Sequence, residues 1–211
     1  MRDQRAERLC LLLGSALLLA AVCLYVHSLL EDARAGAQAA SAVSRLRQSQ
    51  SRSAAPEPEQ PPAGSALAPQ GPEPAAGALP GEERPEAEEP REYLGILTIP
   101  ALGLELPVQS QWSREGLKVS PCRQCGSVEG GDLVIAAHNY RSHFGRLHSL
   151  TPGDEVRFAA QDGTEAVYTV ERLAQLSPAQ PEAVRQGGCP LVLYTCTPGG
   201  GARVAVYCRQ K

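Results

Sequence analysis

The chain has 211 residues, a formal net charge of −3 and 4% aromatic residues. That length holds one ordinary domain with additional segments. The charge is small and dispersed, and no dense Lys/Arg patch interleaved with aromatics occurs, which argues against a nucleic-acid-binding protein.

In chain order, the first eight residues, MRDQRAER, carry Arg2, Arg5 and Arg8 against Asp3 and Glu7. Residues 9–30 then lack any Asp, Glu, Lys or Arg. About 22 apolar positions in a helix suffice to cross the roughly 30 Å hydrocarbon core of a bilayer. The basic flank favours a cytoplasmic N-terminus, with the rest of the chain outside. The rival reading is a cleaved signal peptide, whose peptidase would find small residues in ARAGAQAA. Against it, the apolar run exceeds the 7–15 residues usual for a signal h-region.

Residues 31–48 are rich in Ala and Arg and are expected to form a juxtamembrane segment that extends the helix for a few turns. From 49 to 91 proline, glutamate, alanine and glycine dominate, with no aromatic residue. Such a composition buries too little apolar area to offset ordering entropy, so a disordered, partly extended spacer is expected. It would hold a folded head away from the membrane.

The head is expected over residues 92–211. YLGILTIPALGLELPV has short β-prone runs broken by Pro100, Gly103 and Pro107. GDLVIAAHNY reads as a turn, a covered strand and an exit, and DEVRFAAQDGTEAVYTVERL as a hairpin about Asp162 and Gly163. PLVLYTC and ARVAVYC form a last pair joined by the glycine-rich TPGGG, and short helices are expected near SHFGRLHSL and SPAQPEAVRQ. The fold class this pattern predicts is all-β, a closed barrel of seven to eight strands with short helices, since closure also removes exposed edges.

Side chains alternate along a strand, so Val192, Tyr194 and Cys196 share one face, and Val134, Ala136 and His138 another. His138 and Cys196 both stand where a strand gives way to a loop. If the two strands are neighbours, imidazole and thiol meet at one rim. A thiolate is the nucleophile, and an imidazolium favours it and can protonate a departing amine. Arg203, seven residues after Cys196, brings a permanently charged donor for a carbonyl or oxyanion. Taken singly, Cys196 reads equally as a small buried hydrophobe, His138 as a loop residue and Arg203 as a surface charge.

Together, His138 in IAAHNY, Cys196 in VLYTC and Arg203 in GGGARVAVY resemble the sortases, cell-surface cysteine transpeptidases of Gram-positive bacteria. YLGILTIPALGLELPV and GDLVIAAHNYRSHFGRL add to the likeness, which covers nearly the whole head and neither the apolar segment nor the spacer. Val192 departs from the TLxTC-like signature, which has threonine there. The short interval between His138 and Cys196 leaves the subclass open among compact B-, D- or E-like forms. The resemblance implies an eight-stranded barrel in which Cys196 attacks an LPxTG-like sorting signal on a secreted protein, His138 protonates the leaving amine, and Arg203 holds substrate and oxyanion. An amine of a peptidoglycan precursor or a pilin lysine would resolve the thioester, and no cofactor is implied. Water in its place would make the protein a peptidase. A surface-binding domain without activity is the alternative of a different class. Papain-like enzymes place cysteine before histidine, and the SHGC-like signature of L,D-transpeptidases is absent.

Asn139, Tyr140, Tyr194 and Trp112 are groove candidates. Cys122 and Cys125 in PCRQC have the CxxC spacing of a local disulfide, a redox pair, or half a zinc site completed by His143, His148 or Cys208. Five cysteines lie outside the apolar segment, so at least one of them has no internal partner.

Overall fold

The computed structural model describes residues 2–53, 91–179 and 181–211. The expected spacer, 49–91, lies outside the described residues except at its two ends.

Helix α1 (Arg2–Ser53) is a single run of 52 residues, about 78 Å long at 1.5 Å per residue. It has two parts with different surroundings. The leucines from Leu11 to Leu30 are exposed, and this portion is long and apolar enough to cross a membrane. Beyond it, Ala35, Ala39, Ala42, Val43 and Leu46 are buried, a spacing that places them on one helical stripe. The small alanines let the helix axis come close to the barrel, and Ala39 joins the barrel's core. Val43 and Leu46 close over Ile96 and Tyr93. An ion pair between Arg47 and Glu105 and a 3.2 Å bond from Gln50 Nε2 to the Ala160 carbonyl complete the docking. One apolar helix followed by a barrel is the arrangement of a single-pass membrane protein with its barrel outside.

The head is a closed barrel of eight strands: β1 (Tyr93–Ile99), β2 (Leu104–Gln109), β3 (Cys122–Cys125), β4 (Leu133–Ala136), β5 (Glu155–Ala160), β6 (Glu165–Leu176), β7 (Leu191–Cys196) and β8 (Arg203–Gln210). Around the wall the order is β1-β2-β3-β4-β7-β8-β6-β5. The pairs β2–β3 and β4–β7 are parallel, and all others are antiparallel.

Local chemistry sets the turns. Pro100 opens a 3-10 turn between β1 and β2, and Gly103 closes it in the left-handed region at φ 61°, its N–H bonding back to the Pro100 carbonyl. The expected hairpin about Asp162 and Gly163 joins β5 and β6, with Asp162 Oδ1 accepting from Thr164 N at 2.8 Å. The two short helical segments expected after β4 and before β7 are 3-10 turns, Leu147–Ser149 and Pro181–Gly187. The sequence reading missed β3, which had been noticed only for its cysteines.

The wall has two faces. Leu97, Ile99, Leu133, Ile135, Phe158, Tyr168, Leu191, Leu193 and Val206 fill the interior. Val134, Val192, Ala205 and Tyr207 form a separate outer cluster beneath Val184, with Tyr194 packed against it. Gly95 marks the tightest strand approach: a Cβ there would lie 2.2 Å from the Ala159 carbonyl oxygen on β5. Gly95→Ala is therefore expected to lower stability by about 1–3 kcal/mol, because β5 must move outward to admit the methyl. Urea denaturation of the two proteins measures the difference.

Candidate active site

The alternation of β7 decides which way its end points. Leu191 and Leu193 enter the interior, so Val192, Tyr194 and the exposed Cys196 belong to the outer face. In β4, Leu133 and Ile135 point inward and Val134 outward. The two strands are direct parallel neighbours, with Val134 opposite Val192 and Ala136 opposite Tyr194. The pairing continues past β4: Ala137 N bonds to the Tyr194 carbonyl at 3.2 Å, and Thr195 Oγ1 donates to the Ala137 carbonyl at 2.8 Å. His138 and Cys196 are each two residues beyond the Ala136–Tyr194 pair, His138 in the loop that follows β4 and Cys196 at the end of β7. On the other edge of β7, Cys196 is the direct antiparallel partner of Arg203. Three residues distant in sequence thus occupy the ends of three consecutive strands.

His138 is half-buried, and its Nε2 is enclosed with no hydrogen-bond partner. Its ring lies 5.1 Å from that of Tyr140. Burial holds the imidazole below its ordinary pKa, and the Lys118 ammonium adds to the effect while Glu31 of α1 opposes it. The Arg203 guanidinium stands 5.8 Å above the Tyr194 ring, and the Tyr194 hydroxyl donates to Gln124 Oε1 at 2.9 Å.

The chain after His138 is folded tightly. The N–H groups of His143 and Gly145 both bond to the Tyr140 carbonyl, and Phe144 N bonds to that of His138. Gly145 is needed because a Cβ would come within 2.4 Å of the Asn139 carbonyl oxygen. Phe144 and Leu147 anchor this loop in the core. His143 is fully buried, and burial first, then His138, lowers its pKa to about 4.

Of the groove candidates, Tyr140 and Tyr194 touch His138 and face Arg203 respectively. Asn139 is half-buried in the loop, and Trp112 is 47% exposed on the connection after β2. Cys122 and Cys125 are both free, on β3. Cys122 is buried and its thiol is pushed up by burial. Among the described residues, no group of three or more His, Cys, Asp or Glu side chains comes together as a metal site.

Sequence reasoning missed Lys118, Gln124, Glu31 and Thr195. Thr195 was visible within the VLYTC motif, but its bond to the Ala137 carbonyl was not. The other three act across long sequence separations and leave no local signal.

A family model described as a sortase domain matches residues 97–211, and the chain belongs to the sortase family. Solved structures agree on the fold. Sortase C from Clostridium perfringens SM101 is 21% identical with a TM-score of 0.50, covering 57% of this chain and 70% of that one. Sortase C from Streptococcus pneumoniae is 24% identical with a TM-score of 0.50, covering 57% and 67%. Sortase A from Corynebacterium diphtheriae is 21% identical with a TM-score of 0.52, covering 60% and 63%. No curated protein matches the chain. A sortase-type enzyme is thus the general class, and the fold is one suited to cysteine-transpeptidase cleavage and transfer.

Two outcomes follow from the site's construction. An NMR titration of His138 should give a pKa below the ordinary 6.5, and Lys118→Gln should raise it by removing a nearby positive charge. Thr195→Val should cost about 1–3 kcal/mol in thermal or urea unfolding, since it strips the buried Ala137 carbonyl of its side-chain donor.

Proposed function

We propose that the protein is a cysteine transpeptidase in which Cys196 is the nucleophile, His138 the proton carrier and Arg203 the oxyanion donor. The observation that carries this reading is the strand register: Cys196 stands directly opposite Arg203, and β7 pairs along its other edge with β4, the strand that leads into His138.

In the first half-reaction, Cys196 Sγ bonds to the carbonyl carbon of the threonine-like residue in an LPxTG-like sorting signal. The thiol proton passes to His138, and negative charge gathers on the carbonyl oxygen, where the Arg203 guanidinium offers fixed N–H donors. The C–N bond then breaks, and His138 returns the proton to the departing amine. In the second half, an amine of a peptidoglycan precursor or pilin attacks the thioester and gives a proton to His138, and the C–S bond breaks as His138 passes that proton to Cys196 Sγ. Tyr194, Asn139, Tyr140 and Trp112 are proposed to line the path of the peptide. Residues 9–30 would serve as the anchor, 31–48 as a juxtamembrane segment docked on the barrel, 49–91 as a linker from α1 to the barrel that does not hold it away from the membrane, and 92–211 as the catalytic unit.

The test uses the full chain in nanodiscs, with sorting-signal peptides and candidate amines, read by mass spectrometry. A Cys196 acyl adduct and a new amide product are expected. Cleavage without amide formation would point to a peptidase, and a folded protein forming no adduct with any peptide would favour the binding-domain alternative. Cys196→Ala should abolish ligation while leaving the unfolding transition in place, and persistent turnover would overturn the assignment. Arg203→Lys should lower kcat about 100-fold or more, because a point charge does not reproduce the guanidinium fork.

A further inference from the structure

We infer that α1 holds the barrel with the loop that follows His138 against the bilayer surface and the β5–β6 hairpin pointing away from it. The partner of that loop surface is the lipid headgroup layer. Two anchor points on one uninterrupted helix carry the inference. Asp32, two residues beyond the apolar stretch, accepts from Ser142 N at 2.9 Å and from Ser142 Oγ at 2.5 Å. Ser142 Oγ also lies 3.1 Å from the Asp32 carbonyl oxygen. One turn later Gly36 permits close contact, since a Cβ there would lie 3.1 Å from Ser142 Cβ. At the other end, Gln50 bonds to Ala160, the last residue of β5.

Helical rise converts these contacts into heights. Asp32 stands about 3 Å along the axis beyond Leu30, and Gln50 about 27 Å beyond Asp32. Even a strongly tilted helix keeps the first point in the headgroup layer and the second well outside it. The chain between Ser53 and Arg91 does not set these heights, because α1 itself grips the barrel. The exposed side chains at the lower level include Glu31, Arg34 and Arg141. The two guanidinium groups are long enough to reach headgroup phosphates. Ser142, which Asp32 holds, lies four residues after His138 in the same loop.

On the proposed role of Cys196, a peptide reaching this site is one presented at the bilayer surface. The orientation itself does not depend on that role, so its test does not use activity.

The chain has one tryptophan, Trp112, and Trp112→Phe gives a background without indole fluorescence. Into it Arg141→Trp and Gln161→Trp, both exposed positions, are introduced separately. Each full-length protein is placed in phosphatidylglycerol/phosphatidylcholine vesicles with and without headgroup-spin-labelled lipid. Circular dichroism and thermal unfolding confirm that both variants are folded. The Arg141→Trp reporter should lose at least half of its emission on adding the spin-labelled lipid, and the Gln161→Trp reporter should be almost unchanged. Equal quenching, the reverse order, or no quenching of either would overturn the inference. Failure of the transfer assay with the expected quenching would sink the catalytic reading and leave the orientation standing.

Discussion

β7 is hydrogen-bonded along both edges, parallel to β4 and antiparallel to β8, and the candidate site depends on that double pairing. A strand with two registered neighbours has no freedom to slip, because a shift of one residue would turn Leu191 and Leu193 out of the interior and drive Val192 and Tyr194 into it. The burial pattern of the core therefore holds Cys196 opposite Arg203, at the end of the strand paired with the one that leads into His138. Thr195 adds a buried side-chain bond at the point where β4 gives way to loop, and so carries the register past the last ladder pair.

The outer face of the wall then determines the chemistry available. The candidate residues Cys196 and Arg203 do not sit in the barrel interior, which aliphatic side chains fill. They lie at the edge of an outer apolar cluster built from β4, β7 and β8, with Tyr194 between that cluster and the Arg203 guanidinium. Partial burial disfavours charge on His138, and Lys118 disfavours it further. The register leaves Cys196 exposed at the end of β7 with Arg203 as its direct partner on β8.

Helix α1 joins two environments within one element. Its first part exposes leucines suited to lipid, and its second presents a narrow stripe of small residues to the barrel. The switch occurs at Glu31 and Asp32, and Asp32 is already committed to the loop after His138. The same residues that end the apolar stretch thus begin the docking surface, which leaves little distance between the membrane and the site.

Much of this was legible in the sequence. The charge-free stretch from residue 9 to 30, the alternating strands and the turns at Gly103 and Gly163 follow from local rules of solvation, pleating and backbone sterics. The motifs around His138, Cys196 and Arg203 also gave the family resemblance, and the two short helical segments were correctly located. The parallel neighbourhood of β4 and β7 was an assumption, because strand order depends on contacts between segments some 55 to 60 residues apart, which no local pattern records. β3 was missed because four residues with two cysteines carry too little alternation to announce a strand. The docking of α1 was also hidden, since an alanine stripe has no partner within reach of its own sequence. The sequence by itself determined which faces of the segments are apolar and where the chain turns. Only the tertiary structure decided which segments meet, because that choice is made by closing the barrel as a whole and burying both faces of its wall together.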